Sequence, residues 1–318
     1  MDLETVKAAF LAAVGPEGRP AEARFAARIR RHPQVLALRF ERTRRIVELI
    51  GGRGQALLDA GSGTGLNAVL ALLAGAREVW AVELNPFRLE VARDLIGRLG
   101  LEDRVHLLER DILEVDLPAA SLGGIYSNEF LEHIVDSEAY HRLAARWLAP
   151  GGRVYGRTGA NAANLLYRIT YGRQWSRTDR LVYAPARRGR IHDLAPELPQ
   201  DVLDRLVRGT RGAGPAEIEA AVAAWRRDGQ VPPPNRKVPK NPETGVYYER
   251  LRRPRQLLAE MEACGLAARL LPPDLSHAFT ASPAKRALLA MAEPLVRWTH
   301  PASLVVAPWI EVLGERRA

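Results

Sequence analysis

Residues 57–65 read LLDAGSGTG. Two leucines lead into Asp59, and three glycines, Gly61, Gly63 and Gly65, then alternate with single residues. The apolar run QALLDA (55–60) has the length of a buried strand, and GLNAVLALLAGA (65–76) reads as a helix ended by small residues. Strand, glycine turn and helix in this order build a ligand site from backbone. Glycine permits positive φ, its missing Cβ lets a ligand approach the main chain, and the helix start offers free N–H groups. Spacing must decide which ligand. The dinucleotide loop G-x-G-x-x-G needs its third glycine where Leu66 stands, and the P-loop needs a Gly-Lys pair that does not follow. Both phosphate-cradling patterns are therefore disfavoured.

Outward from this loop, strands alternate with helices. EVWAVEL (78–84), RVHLLER (104–110), GGIYSN (123–128) and RVYGRT (153–158) read as further strands. Helices are expected over 86–100, with Pro86 in the first turn and Gly100 beyond the end, and over 137–148. That rhythm predicts a parallel sheet with helices on both faces. It stops near residue 158. An Arg- and Pro-rich stretch follows to about 250, with helical segments over 199–209 and 215–227 and an extended VPPPNRKVPKNPETG (231–245). A helix over 254–265, a strand over 266–271, a helix over 282–298 and a last strand over 303–316, interrupted at Pro308, complete the pattern. Residues 3–13 and 21–50 read as N-terminal helices.

The expected architecture is α/β: a Rossmann-like, seven-stranded, mostly parallel sheet with helices on both faces. A helical N-terminal cap (1–50) precedes a core over 51–158. A large insertion (159–253) leaves after strand five, and 254–318 return to the sheet.

DAGSGTG (59–65) resembles motif I, [DE]-x-G-x-G-x-G, of the class I S-adenosylmethionine-dependent methyltransferases. Glu83 ends the second strand about 20 residues beyond the loop, where an acid accepts the ribose hydroxyls. Asp111, in ERDIL, stands where the family places an acid for the adenine amino group. SNEFLEHI (127–134) resembles the segment facing the reacting methyl, and LAPGGRV (148–154) the turn before strand five. The resemblance implies S-adenosyl-L-methionine as cofactor. It implies a cofactor site of Asp59, Gly61, Ser62, Gly63, Gly65, Glu83 with Leu84, Asp111 with Ile112, and Asn128. Three acids past three strand ends also suit a ligand with a sulfonium cation and no phosphates.

Methyl transfer needs an aligned acceptor and often a base. Glu129 and His133 are the candidate catalytic residues. Glu129, Glu132 and His133 also form E-x-x-E-H, which resembles metal-binding runs in some O-methyltransferases and small-RNA methyltransferases. No further ligand is evident apart from His192, so no metal is expected. SNEF (127–130) lacks the prolines of the DNA amino-methylating enzymes.

The chain of 318 residues carries a formal charge of +9, and residues 158–255 hold 19 Lys+Arg against 10 Asp+Glu. Within them Tyr167, Tyr171 and Trp175 recur every four residues among Arg168, Arg173, Arg177 and Arg180. The stripe suits packing of the insertion onto the sheet domain, or a lid over the acceptor, and an amphipathic helix on a membrane surface is a third reading. The acceptor is expected to be a small molecule, a sugar or a biosynthetic intermediate, anionic or aromatic, methylated at oxygen in preference to nitrogen. Arg173 and Arg177 are the expected acceptor contacts. RNA is the alternative acceptor, but no RNA-binding module is recognisable. An enzyme spending the same cofactor otherwise, for example by cyclisation, is a further alternative. The single cysteine, Cys264, excludes an internal disulfide framework. No apolar run is long enough to span a bilayer, and the expected location is the cytoplasm.

Overall fold

The computed structural model describes residues 1–15, 20–275 and 283–317. Helices α1 (Leu3–Val14), α2 (Pro20–Arg31) and α3 (Gln34–Leu49) precede β1 (Ala56–Ala60), α4 (Leu66–Leu73), β2 (Glu78–Glu83), α5 (Pro86–Leu99) and β3 (Val105–Glu109). Then come β4 (Leu122–Asn128), α6 (Ser137–Trp147) and β5 (Leu148–Thr158). Helices α7 (Leu165–Thr178), α8 (Ala184–Leu194), α9 (Gln200–Gly209) and α10 (Pro215–Asp228) form the inserted segment. The chain closes with α11 (Pro254–Ala263), β6 (Leu266–Leu271), α12 (Pro283–Trp298) and β7 (Ile310–Arg316).

The seven strands run in the order β3-β2-β1-β4-β5-β7-β6. The first five are parallel, and β7 is antiparallel to both β5 and β6. Every residue of β1 is buried, as expected of a central strand covered on both faces. One apolar cluster joins one face of the sheet to α1–α5, through Phe10, Val47, Leu57, Leu70 and Leu95. The other joins it to α6 and α11, through Leu58, Ile125, Tyr140, Trp147 and Met261. Order β2-β1-β4 reverses direction at β1, so a crevice opens at the carboxyl ends of β1 and β4.

Three expectations are corrected in detail. The N-terminal helical run breaks at His32–Pro33 into α2 and α3, because the residue before a proline is pushed out of the α region. The last strand starts only at Ile310, since Pro308 has no N–H for a ladder and residues 302–305 coil into a 3-10 turn. Strand β5 starts at Leu148 and carries the 149–152 turn as an irregularity between its pairings Leu122–Leu148 and Gly124–Arg153. The helix expected over 282–298 runs from Pro283, and Ser282 lies outside the described residues.

The inserted segment has a core of its own. Ile191, Leu203, Leu206, Ile218 and Val222 of α8, α9 and α10 pack together. Arg187 is buried there, donating to the Val207 carbonyl and pairing with Asp179 at 2.7 Å. Much of this segment's charge is thus spent internally, in pairs such as Arg226–Glu197 and Lys240–Glu217.

Candidate active site

The register of the sheet brings the ends of four strands into one row. Ala60 pairs with Val82 on one side and Ser127 on the other, and Glu83 pairs with Glu109. Each strand therefore delivers its next residues to the same edge: the glycine loop, Glu83, Asp111 and Asn128.

The loop is held there by backbone bonds. The Gly61 and Ser62 amides both donate to the Val82 carbonyl, at 3.0 and 2.9 Å. All three loop glycines have positive φ, between +58° and +74°, but each is required for a separate reason. A Cβ on Gly61 would lie 2.7 Å from the Phe130 ring, and one on Gly65 would lie 3.0 Å from Ala92 of α5. A Cβ on Gly63 would meet nothing within 4 Å, because that position faces open space. This is the face a ligand can approach.

Glu83 is buried and bridges the loop to the next helix. One carboxylate oxygen accepts from the Gly63 amide and the other from the Asn85 amide, both at 2.9 Å. Asn85 in turn caps α5 by accepting from the Phe87 amide. Asp111 accepts from the Leu113 amide at 2.9 Å, capping a 3-10 turn in which Ile112 is buried. Leu84 is exposed beside Glu83.

Asp59 is fully buried, and neither carboxylate oxygen has a hydrogen-bond partner. Tyr126 sits opposite it on β4, with its hydroxyl also unpaired. Burial raises the Asp59 carboxyl to about 7, against the pull of Tyr126 and of the Arg39 charge. Arg39 belongs to α3 of the cap. Its Nε donates to the Asn67 side chain at 2.8 Å, and its guanidinium lies over the Phe25 ring. Nothing in the α3 sequence distinguishes Arg39 from the other arginines of that helix, and only folding brings it to the glycine loop. Ser62 Oγ, Ser127 Oγ and Asn128 Oδ1 are likewise buried without partners. Unpaired buried polar atoms are costly, and this row of them along a glycine-lined trough fits a polar ligand bearing both amino-acid and ribose groups.

The family described as "Methyltransferase domain" matches residues 58–156, which span this trough from β1 to β5. Over residues 58–156 the chain matches the domain of the class I S-adenosylmethionine-dependent methyltransferases. S-adenosylmethionine is the cofactor of that family. A 27-O-demethylrifamycin SV methyltransferase of Amycolatopsis mediterranei is 32% identical over 119 residues, 36% of this chain and 44% of the relative. An arginine N(omega)-methyltransferase of Streptomyces achromogenes is 39% identical over 71 residues, 22% of this chain and 19% of the relative. The chain thus spans less than half the length of these curated relatives. A solved geranyl diphosphate C-methyltransferase of Streptomyces coelicolor superposes with a TM-score of 0.48 at 15% identity, covering 96% of this chain and 86% of that one.

In this methyltransferase domain the loop after β4 carries the expected catalytic residues, and the structure gives them different surroundings. Glu129 has φ +53°, unusual for a non-glycine residue. Its carboxylate is committed: one oxygen pairs with Arg157 at the end of β5, and the other accepts from the Gly159 amide at 2.8 Å. Arg157 also stacks on the Trp309 ring, 4.3 Å from its centroid. Glu132 is buried, with Oε2 unpaired. Burial, reinforced by the adjacent Glu129, pushes its carboxyl well above the usual range, so the ionised form is disfavoured. The ring of His133 meets the Tyr247 carbonyl through Nδ1 at 3.0 Å. A carbonyl only accepts, so Nδ1 carries a proton, and in the neutral tautomer this sets, Nε2 holds the lone pair. Among the described residues, no group of three His, Cys, Asp or Glu side chains is arranged to hold a metal ion.

The segment after the Pro-rich stretch closes this side. The Tyr247 amide donates to the His133 carbonyl at 3.2 Å, and the Arg250 amide to the Glu132 carbonyl at 2.9 Å. Helix α7 then meets it: Trp175 Nε1 donates to the Glu249 carbonyl at 2.9 Å, and Gln174 to the Tyr248 hydroxyl. The half-buried aromatic stripe Tyr167, Tyr171 and Trp175 faces inward. Arg173 and Arg177 do not. At 100° per residue they fall on the opposite side of α7 and are exposed, which corrects their expected place among the acceptor contacts. Among the described residues no helix is long and apolar enough to cross a membrane.

Proposed function

We propose that this chain is an S-adenosylmethionine-dependent methyltransferase of a small-molecule acceptor, acting at oxygen in preference to nitrogen. The observation that carries the reading is the trough itself. Open Gly63, doubly bonded Glu83 and unpaired Asp59, Ser62 and Asn128 line one edge, directly beside the His133 loop.

When bound, S-adenosylmethionine supplies a methyl group on a positively charged sulfur. The residues of this chain do the rest. Glu83 would accept from the ribose hydroxyls, Asp111 from the adenine amino group with Ile112 and Leu84 as apolar flanks, and Asp59 would face the cationic amino-acid end. Phe130, against Gly61, excludes water from the loop. His133 takes the acceptor's hydroxyl proton at Nε2, its tautomer set by the Tyr247 carbonyl. Glu129 is a positioning residue, which holds the β4 loop against Arg157 and Gly159. The acceptor enters under Tyr167 and Tyr171 of α7, whose rings offer stacking area. One curated relative is named for O-methylation of a small molecule, which agrees with this choice.

Mass spectrometry of ligand co-purified with the chain, followed by turnover on hydroxylated candidates, tests this reading. Recovered S-adenosylhomocysteine and methylated hydroxyls are expected. Methylation of RNA or of protein arginine alone would overturn the acceptor class, and failure to bind the cofactor would overturn the function.

A further inference from the structure

The face of α7 turned away from the site has a composition unlike the rest of the insertion. Leu165, Leu166 and Ile169 occupy its first turns and are all exposed, Leu166 to 65%. Arg173, Arg177 and Arg180 continue the same stripe and line a shallow depression of about 420 Å³ with Ile169. Helix α7 contains no acidic residue, and among the described residues no ion pair forms at these three arginines. Elsewhere in the insertion arginines are spent in pairs with Asp179, Asp204, Glu219 and Glu197.

A second element extends the apolar end of this stripe. Asn161 and Asn164, just before α7, both donate to the Ala307 carbonyl, at 3.0 and 3.1 Å. Those bonds tie the start of α7 to the turn holding Val305 and Val306, exposed to 58% and 70%. Ser303 Oγ donates to the Val296 carbonyl at 2.9 Å, which ties the same turn to the end of α12, where Trp298 is 83% exposed. Six large apolar side chains are thus exposed on elements bonded to one another, and three arginines without an ion pair among the described residues continue the stripe along α7 and just beyond it.

Exposed patches of this kind mark interaction surfaces. Their chemistry names the occupant: leucines, valines and a tryptophan for the acyl boundary, arginines for anionic headgroups. We infer that this face docks on a membrane surface rich in anionic lipids, with α7 lying between the bilayer and the acceptor site. A soluble polyanion such as RNA would pair with the arginines but leave the apolar side chains in water. The membrane uses both. The inference is independent of the acceptor's identity.

The test is sedimentation of the full chain with vesicles of phosphatidylcholine, with and without phosphatidylglycerol. Binding is expected only where phosphatidylglycerol is present, and it should weaken as salt is raised. Changing Arg173, Arg177 and Arg180 together to Gln should weaken it roughly a hundredfold. Leu166→Ser with Val306→Ser should weaken it about tenfold or more. Circular dichroism and cofactor affinity check that these variants are folded. Hydrogen exchange on the unaltered chain supplies a measurement free of variants, with vesicle-induced protection expected at 165–180 and 298–307. The inference is overturned if the chain ignores anionic vesicles at low salt, or if protection falls elsewhere. It is also overturned if the apolar variant binds as tightly as the parent while RNA competes, or if these residues are covered by a second copy that leaves vesicles unbound.

Discussion

Glu83 accepts the Gly63 amide at 2.9 Å, so the acid at the end of β2 holds the one loop glycine that faces open space. Its other oxygen holds the Asn85 amide and, through Asn85, the start of α5. The proposed ribose anchor is therefore also the brace of the glycine loop. Glu83→Ala should weaken S-adenosylhomocysteine by ten- to a hundredfold or more, since each hydrogen bond to a charged group contributes roughly 1.5–3 kcal/mol. Glu83→Gln should fall between that variant and the parent. Calorimetry showing unchanged affinity in a folded Glu83→Ala chain would remove Glu83 from the cofactor site.

The three glycines should respond differently to alanine. Each pays about 1–2 kcal/mol for a left-handed conformation. Gly61→Ala and Gly65→Ala add contacts at 2.7 and 3.0 Å with Phe130 and Ala92, so they should lower Tm more than Gly63→Ala. Gly63→Val, by contrast, should fold and yet lose the cofactor, because its side chain fills the trough. Thermal scans with and without S-adenosylhomocysteine separate the two effects. Equal loss of stability at all three positions would contradict this division.

Asp59 predicts a pH dependence of unusual sign. Its carboxyl is raised to about 7 when folded, from an ordinary value near 4. The folded chain then binds more protons than the unfolded one between those values. Stability from this group is fully present below pH ~4, declines as pH rises towards 7, and is lost above it, by about 4 kcal/mol at most. Asp59→Asn should flatten that slope and raise Tm at pH 8. A cationic ligand favours the ionised form, so cofactor binding near pH 6.5 should release a proton. Calorimetry in buffers of different ionisation heat reads this directly, and no proton release would mean that Asp59 does not face the ligand's charge.

The two faces of α7 should separate in kinetics. Tyr167→Ala and Tyr171→Ala should raise the acceptor's KM severalfold or more, while cofactor affinity stays within a few-fold. Arg173→Ala and Arg177→Ala should leave both constants for a soluble acceptor nearly unchanged, because these side chains lie on the far side of the helix. A large KM effect from the arginines alone would reverse the assignment of faces.

Chelation should not stop turnover. Glu129 is held by Arg157 and the Gly159 amide, burial disfavours the ionised form of Glu132, and the Nδ1 proton of His133 is spent on Tyr247. Three such groups make a poor site for a hard cation, which needs ionised oxygen ligands. Loss of activity in EDTA, restored by Mg²⁺ or Mn²⁺, would show that the loop rearranges around a metal.

Local pattern was enough to find the seven strands, the glycine loop and the acids Asp59, Glu83 and Asp111. Strand and helix periodicity are properties of adjacent residues, and a loop that needs positive φ must be written in glycine. Local pattern also predicted the aromatic stripe of α7. It could not say which way that stripe would turn. Aromatics and arginines share one helix at offset spacings, and only packing against residues 247–250 decided that the rings face the site and Arg173 and Arg177 face out. The same holds for the reacting end. E-x-x-E-H read alone offers two carboxylates and an imidazole as equals. Folding brought Arg157 from 28 residues away to neutralise Glu129, and Tyr247 from 114 residues away to fix the tautomer of His133. It also set Arg39 of the cap near Asp59. Charge, burial and tautomer depend on neighbours distant in the chain, and those are decided by the tertiary structure.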